Sequence, residues 1–343
     1  MPDEQSSWGK IHEEYESAIR AAAQAQPGAG IIQIDLDSIM KRHVDELFQA
    51  TGRPILFYLV DFFNGAKAAT SGNEVAILQS DKDGIVETTR TLPPGPLDII
   101  LHSPGGSLEA TESIVDILRQ KFTHIRFFIP NTAKSAATML ALSGDEIYLA
   151  SSAELGPIDP QMVIRRDGGT TQSPAQSVID QFEYAQKELS AHPERLPAWI
   201  PILPIYGPSL YNECKLAVKL SKEVVRTWLI KYMFKDLPKK RDRVNRARRV
   251  VNYFANTELM KSHGRKICLT DLDENLKDVL NVKRLDDDPV LYDKVMAVYY
   301  CFLQLFQRSP AFKVIQNSAG QKYIRQIQMA PQMQPFPLQR PQS

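Results

Sequence analysis

The stretch "LDIILHSPGGSLEATESIVDILRQKF" (97–122), followed by "HIRFFIPNTAKSAATMLALSGDEIYLA" (124–150), decides how this chain folds. "LDIILH" (97–102) is a short apolar run ended by a Ser-Pro-Gly-Gly turn, the pattern of a buried strand. After the turn, Leu108, Ile114, Ile117 and Leu118 recur at helical spacing, and Ser107 and Glu109 favour a helix N-terminus. "HIRFFIP" (124–130) reads as a second strand, "SAATMLALSG" (135–144) as a short helix closed by Gly144, and "EIYLA" (146–150) as a third strand. Repeated strand-turn-helix units with short connections predict parallel strands joined by right-handed crossovers.

Outward from this centre, "RPILFYLVDF" (53–62) and "EVAILQ" (74–79) have strand composition, with "SDKDG" and "LPPGP" as turns after them. Residues 1–30 predict a short helix (10–25) and a Pro/Gly break, forming a surface arm whose partner would be another subunit. The second half is helical. Amphipathic periodicity covers 174–191, 209–234 and 244–260, and "HGRKI" (263–267) is a turn into a short strand. The apolar segment "WIPILPIY" (199–206) reads as a lid over a groove or as a subunit contact. From 307 the chain becomes Gln- and Pro-rich, with a disordered end expected. The expected organisation is an arm (1–30), a body (31–290) and a C-terminal helix with a tail (291–343).

Composition removes several classes of function. With 41 Lys+Arg against 40 Asp+Glu, the chain as a whole has no pull toward nucleic acid or anionic membrane. The segment 231–249 holds nine Lys/Arg against two Asp and, lacking interleaved aromatics, reads as a solvated basic helix with no nucleic-acid partner expected. Cys214, Cys268 and Cys301 are far apart and odd in number, so neither a disulfide framework nor a zinc ribbon is indicated. The six histidines form no ligand motif, so no metal is expected. The polar, acidic N-terminus and the absence of an apolar run of about 18 residues predict a cytoplasmic protein with no transmembrane segment. Lacking a phosphate-binding glycine loop, the chain is expected to use no cofactor, and any ATPase would be a separate chain.

Ser135 is the residue with chemistry to offer. A serine hydroxyl attacks a carbonyl only when a base takes its proton and donors hold the oxyanion. A helix start supplies free N–H groups, here that of Ala136, and Gly105 and Gly106 let backbone amides approach a substrate without a Cβ in the way. Each half also has a purely structural reading, Ser135 as a helix cap and the glycines as a turn.

Together, "DIILHSPGG", "FFIPNTAKSAATMLALSGDEIYLA" and "AELGPIDPQ" resemble the serine dehydrogenase proteinase family, within the Clp peptidase and signal peptide peptidase superfamily. "SPAQSVID" (173–180) and "SHGRKI" (262–267) continue the likeness. The resemblance implies an α/β fold of the Clp/crotonase type, a β-β-α superhelix with a helical second half. It implies Ser135 as nucleophile, the amides of Gly105, Gly106 and Ala136 as oxyanion hole, polypeptide substrates and a homo-oligomer.

The base is where the pattern departs. Where the Clp peptidases carry a histidine this chain has Pro160, and where the Ser/Lys branch carries a lysine, Gln176 and Lys187 bracket the position. Lys134 should face away from Ser135 as a solvated flank, and Lys187, Lys215, Lys219 and Lys222 read mainly as solvated helix positions. His102 reads as a loop fixer. His263, opening the turn that corresponds to the Clp triad aspartate, is the leading base. The expectation is a serine peptidase. Its rivals are a scaffold of the same fold that has lost its base and a crotonase-type acyl-CoA enzyme, which would need no such hydroxyl.

Overall fold

In the computed structural model, which describes residues 7–25, 35–166 and 169–327, the segment 97–149 builds the centre of a seven-stranded sheet. Two helices, α1 (Ser7–Ala25) and α2 (Leu36–Thr51), precede strand β1 (Ile55–Val60). Then come α3 (Gly65–Ser71), α4 (Asp81–Arg90), β2 (Gly95–His102), α5 (Leu108–Lys121), β3 (Phe122–Ile129), the two-residue β4 (Thr132–Ala133), α6 (Ala136–Leu142) and β5 (Glu146–Leu149). A short β6 (Glu154–Leu155) leads to the hairpin β7 (Gln161–Arg166) and β8 (Gly169–Pro174). The helical half holds α7 (Ala175–Ala191), α8 (Leu196–Trp199), α9 (Leu210–Lys231), α10 (Lys240–Phe254), α11 (Thr257–Met260) and α12 (Leu269–Leu276). The chain returns to the sheet with β9 (Val282–Arg284), α13 (Pro289–Arg308), β10 (Ala311–Asn317) and β11 (Lys322–Gln326).

Strands run in the order β11-β10-β1-β2-β3-β5-β9, the five from β1 to β9 parallel, with β10 antiparallel to β1 and β11 antiparallel to β10 at one side. Leu56, Ile99, Phe127 and Ile147 lie in register across the parallel strands, and all are buried. Near-continuous apolar runs are what strands covered on both faces require. The turns that follow β2 and β3 leave from the same carboxyl edge, where open parallel sheets place their sites.

Four expectations are corrected. "EVAILQ" is no strand; after a single helical turn, Ile77 alone bridges to Gly106. "SDKDG" opens α4 rather than a turn, because Asp81 and Asp83 sit favourably on the positive end of a helix. The arm packs on its own chain, with Ile11 and Tyr15 of α1 buried in the main core beside α13. "AFKVIQN" (311–317) lies in what was expected to be tail, yet it is a fully buried strand. Residues 291–327 therefore share the body's core, while the expected disorder of the Gln/Pro end falls outside the described residues.

Candidate active site

Ser135 stands between β4 and α6 with φ 51° and ψ −122°, a backbone state that costs a non-glycine residue roughly 1–3 kcal/mol. The cap reading predicts a hydroxyl bonded to the helix start, and Ser135 makes no such bond. The surroundings hold it there. Ser103 N–H donates to the Thr132 carbonyl (3.0 Å) and Lys134 N–H to the Ser103 carbonyl (3.1 Å), lacing the glycine turn to the serine turn. The Lys134 side chain is a strap, not the solvated flank expected: its Nζ reaches the Leu155 carbonyl (3.3 Å), the Arg265 carbonyl (3.4 Å) and Glu154 (3.1 Å).

The glycines are required by contact. A Cβ on Gly105 (φ 96°) would lie 2.8 Å from Ser135 Cβ and 3.0 Å from the Ala136 nitrogen. One on Gly106 would lie 2.3 Å from the Ile77 nitrogen, since Ile77 N–H donates to the Gly105 carbonyl (2.7 Å) and Ser107 N–H to the Ile77 carbonyl (2.9 Å). Gly105, Gly106, Ser135 and Ala136 are thus brought together.

Behind the glycine turn lies a buried ion pair that the sequence did not disclose. Lys313 of β10 meets Asp81 at 2.9 Å with both side chains fully buried, and Lys313 also donates to the Ala76 carbonyl (2.7 Å). Asp81 accepts from Tyr58 (2.7 Å) and from the Leu78 amide (2.9 Å). Burial pulls the lysine below its ordinary value, opposed by Asp81, and burial with Asp81 pushes the Tyr58 phenol well up. The pair pins residues 76–78, against which Gly106 rests. Lys313→Met is expected to cost about 3–5 kcal/mol in denaturant unfolding, because it strands a buried carboxylate; a loss below about 1 kcal/mol would show that the pair does not anchor this edge.

His102 lies beneath the turn, 1% exposed, against Phe62, Phe63 and Tyr299. Burial pushes its ring down to about 4, a bond to the Thr132 backbone opposing. Unfolded, it titrates near 6.5, so between the two values the unfolded chain binds the extra proton. Its contribution is full above about pH 6.5 and is lost as pH falls toward 4, on the order of 3 kcal/mol in all. The acid arm of the stability profile should therefore flatten in His102→Phe; an unchanged arm would contradict this.

His263 is found in a pair. Its Nδ1 lies 2.8 Å from Asp159, which is 6% exposed and whose other oxygen accepts from Gln161 (2.8 Å). The pair reaches the serine turn through backbone: Leu155 and Ile267 exchange both hydrogen bonds (2.9 and 3.0 Å), β6 pairs with β4, and a Cβ on Gly156 would sit 3.3 Å from the Ser135 nitrogen. Among the described residues no hydrogen bond joins His263 to Ser135. The other candidates lie elsewhere. Lys187 is exposed on α7, Lys215 covers the Tyr211 ring and Lys219 pairs with Glu223. Lys222 and Gln176 line a separate open cleft with Asp180, Asn256 and Glu258. Asp159 was not among the residues that the sequence pointed to; an aspartate one residue from the vacant histidine position, with a histidine at the aspartate position, was the available signal.

Residues 75–192 match the family model of the ClpP-like SDH-type serine proteinases. That segment is ClpP-like. It holds Gly105, Gly106, Ser135, Ala136 and Asp159, while His263 and Lys313 come from beyond it. Two proteins of Methanocaldococcus jannaschii are similar: uncharacterized protein MJ0137, 34% identical over 104 residues (30% of this chain, 34% of that one), and uncharacterized protein MJ1495, 33% identical over 103 residues (30% and 32%). The aligned stretch thus spans about a third of these relatives. A solved chain of the 1510-N membrane-bound stomatin-specific protease, in mutant form, aligns at 12% identity with a TM-score of 0.32, covering 60% of this chain and 74% of that one. Among the described residues no helix is long and apolar enough to cross a membrane.

Proposed function

We propose that this chain is a serine peptidase, in which Ser135 attacks a peptide carbonyl, His263 is the general base and Asp159 orients it. The observation that carries the reading is the backbone of Ser135: a positive-φ serine at a helix start, its hydroxyl making no cap bond and, among the described residues, no other hydrogen bond, pressed against a glycine turn. A serine needed only as a cap would not hold that conformation.

The chemistry follows from the pairing. With Nδ1–H donating to the Asp159 carboxylate, the His263 Nε2 carries the lone pair and can accept the Ser135 proton. Ser135 Oγ then bonds to the substrate carbonyl carbon, and the amides of Gly105, Gly106 and Ala136 take the negative charge that moves onto oxygen. Collapse of that adduct breaks the C–N bond, the amine leaves with the proton from His263, and water repeats the sequence to free the acid. Of these donors the Gly105 N–H rests on Ser103 Oγ (3.2 Å) and exchanges that bond for the oxyanion when substrate arrives.

Polypeptide substrates, a cytoplasmic setting and a homo-oligomer belong to the same reading, as does the Clp/crotonase superhelix as the finer description of the fold. Exposed Leu196, Ile200, Leu216 and Leu220 on the helical half support a subunit contact there. The test is to offer the protein an unfolded polypeptide and a set of acyl-CoA thioesters side by side. New peptide N-termini with no thioester turnover are expected; thioester turnover alone would transfer the site to acyl-CoA chemistry, and neither would leave a scaffold.

A further inference from the structure

The helix pair α9–α10 concentrates positive charge that the chain-wide balance hides. Residues 222–249 carry eleven Lys and Arg against Glu223, Asp236 and Asp242, in a chain of formal net charge +1. Among the described residues only Lys235 of these eleven meets a carboxylate, Asp145 at 2.6 Å, and Glu223 is already engaged by Lys219. Elsewhere arginines such as Arg119, Arg126 and Arg325 are neutralised by carboxylates at 2.6–2.8 Å.

These cations converge. Lys222 and Arg226 of α9 share a surface recess with Arg248 and Asn252 of α10, where Glu223 is the one carboxylate, and Arg246 and Arg249 share another with Asn245 and Asp242. Along α10, Arg241, Asn245, Arg248 and Asn252 are spaced four, three and four residues, so they form one stripe opposite the buried Ala247, Val250, Val251 and Phe254. Like charges held side by side repel, and an external polyanion relieves that repulsion.

The character of the face narrows the partner. Between Leu220 and Leu259 no large hydrophobic side chain is exposed, so there is nothing to insert into a bilayer and no aromatic platform for unpaired bases. Guanidinium and carboxamide groups on one helical stripe are the side chains that read guanine and adenine edges. A helix of about 10–12 Å diameter matches a major groove about 12 Å wide. We propose that the α9–α10 face binds duplex DNA, with Lys222 and Arg226 on phosphates and the α10 stripe at the groove edge. From sequence, 231–249 reads as a solvated basic helix for want of interleaved aromatics, which a duplex, unlike unpaired bases, does not require.

The test uses the full chain and a fluorescein-labelled duplex of roughly two helical turns, read by anisotropy. Binding is expected at about 50 mM salt, weakening about 10²–10³-fold by about 200 mM, as release of counterions from about five phosphates requires. Arg226→Gln with Arg248→Gln, both at exposed positions, should weaken it at least about tenfold and lower the salt slope by about 2, with the unfolding temperature unchanged. No binding, binding indifferent to these changes, or tighter capture of single-stranded RNA, polyglutamate or phosphatidylserine vesicles under the same conditions would overturn the proposal.

Discussion

His263→Gln is expected to lower peptide turnover by about 10³–10⁴-fold while KM stays within a few fold, because under the proposed mechanism the change removes the proton acceptor and leaves the groove untouched. Asp159→Asn should fall nearly as far, although it removes no group that touches substrate. The carboxylate that receives the Nδ1–H is replaced by an amide that can present its own N–H to the ring, favouring the tautomer with the proton on Nε2. The two losses should not add, since each disables the same proton transfer. Full activity in either variant, measured as initial rates on a polypeptide substrate, would remove His263 and Asp159 from the reaction. It would direct attention to Lys222 in its cleft with Gln176.

Gly105→Ala is the second large effect, and it acts on rate and fold together. The new methyl group would meet the Lys134 carbonyl at 2.5 Å and Ser135 Cβ at 2.8 Å, and the backbone at φ 96° is one that a side chain rarely tolerates. Both contacts are with groups that cannot swing aside. We expect about 10²–10³-fold loss in turnover from a displaced oxyanion donor, with a stability loss of about 2 kcal/mol or more. Rate per folded molecule, obtained by counting folded protein at each temperature, separates the two. Wild-type turnover in the folded fraction would show that the Gly105 turn does not hold the oxyanion.

What could be read in the sequence was local. β2, β3 and β5 are short apolar runs, each followed by a turn or a small-residue helix, so their existence and parallel order follow from patterns within a dozen residues. The glycine turn and Ser135 were visible for the same reason. What stayed hidden depends on residues far apart in the chain. The His263–Asp159 bond joins positions 104 apart and the Lys313–Asp81 pair joins positions 232 apart, and neither leaves a periodic trace. β10 falls in the expected tail because the Gln- and Pro-rich composition from 307 reads as one segment; its Lys313 is tolerable in a buried strand only through the buried Asp81. The sign of φ at Ser135 is likewise invisible in a string of letters, although it is what separates a cap from an uncommitted hydroxyl.

The central claim is that Ser135 is an activated nucleophile, and intact-mass spectrometry after exposure to a fluorophosphonate tests it most directly, because only a serine with a working base reacts. The account predicts one adduct per chain, mapped to Ser135, and none on a Ser135→Ala protein that unfolds at the wild-type temperature. An adduct that persists in Ser135→Ala, or a wild-type chain that never reacts, would contradict it.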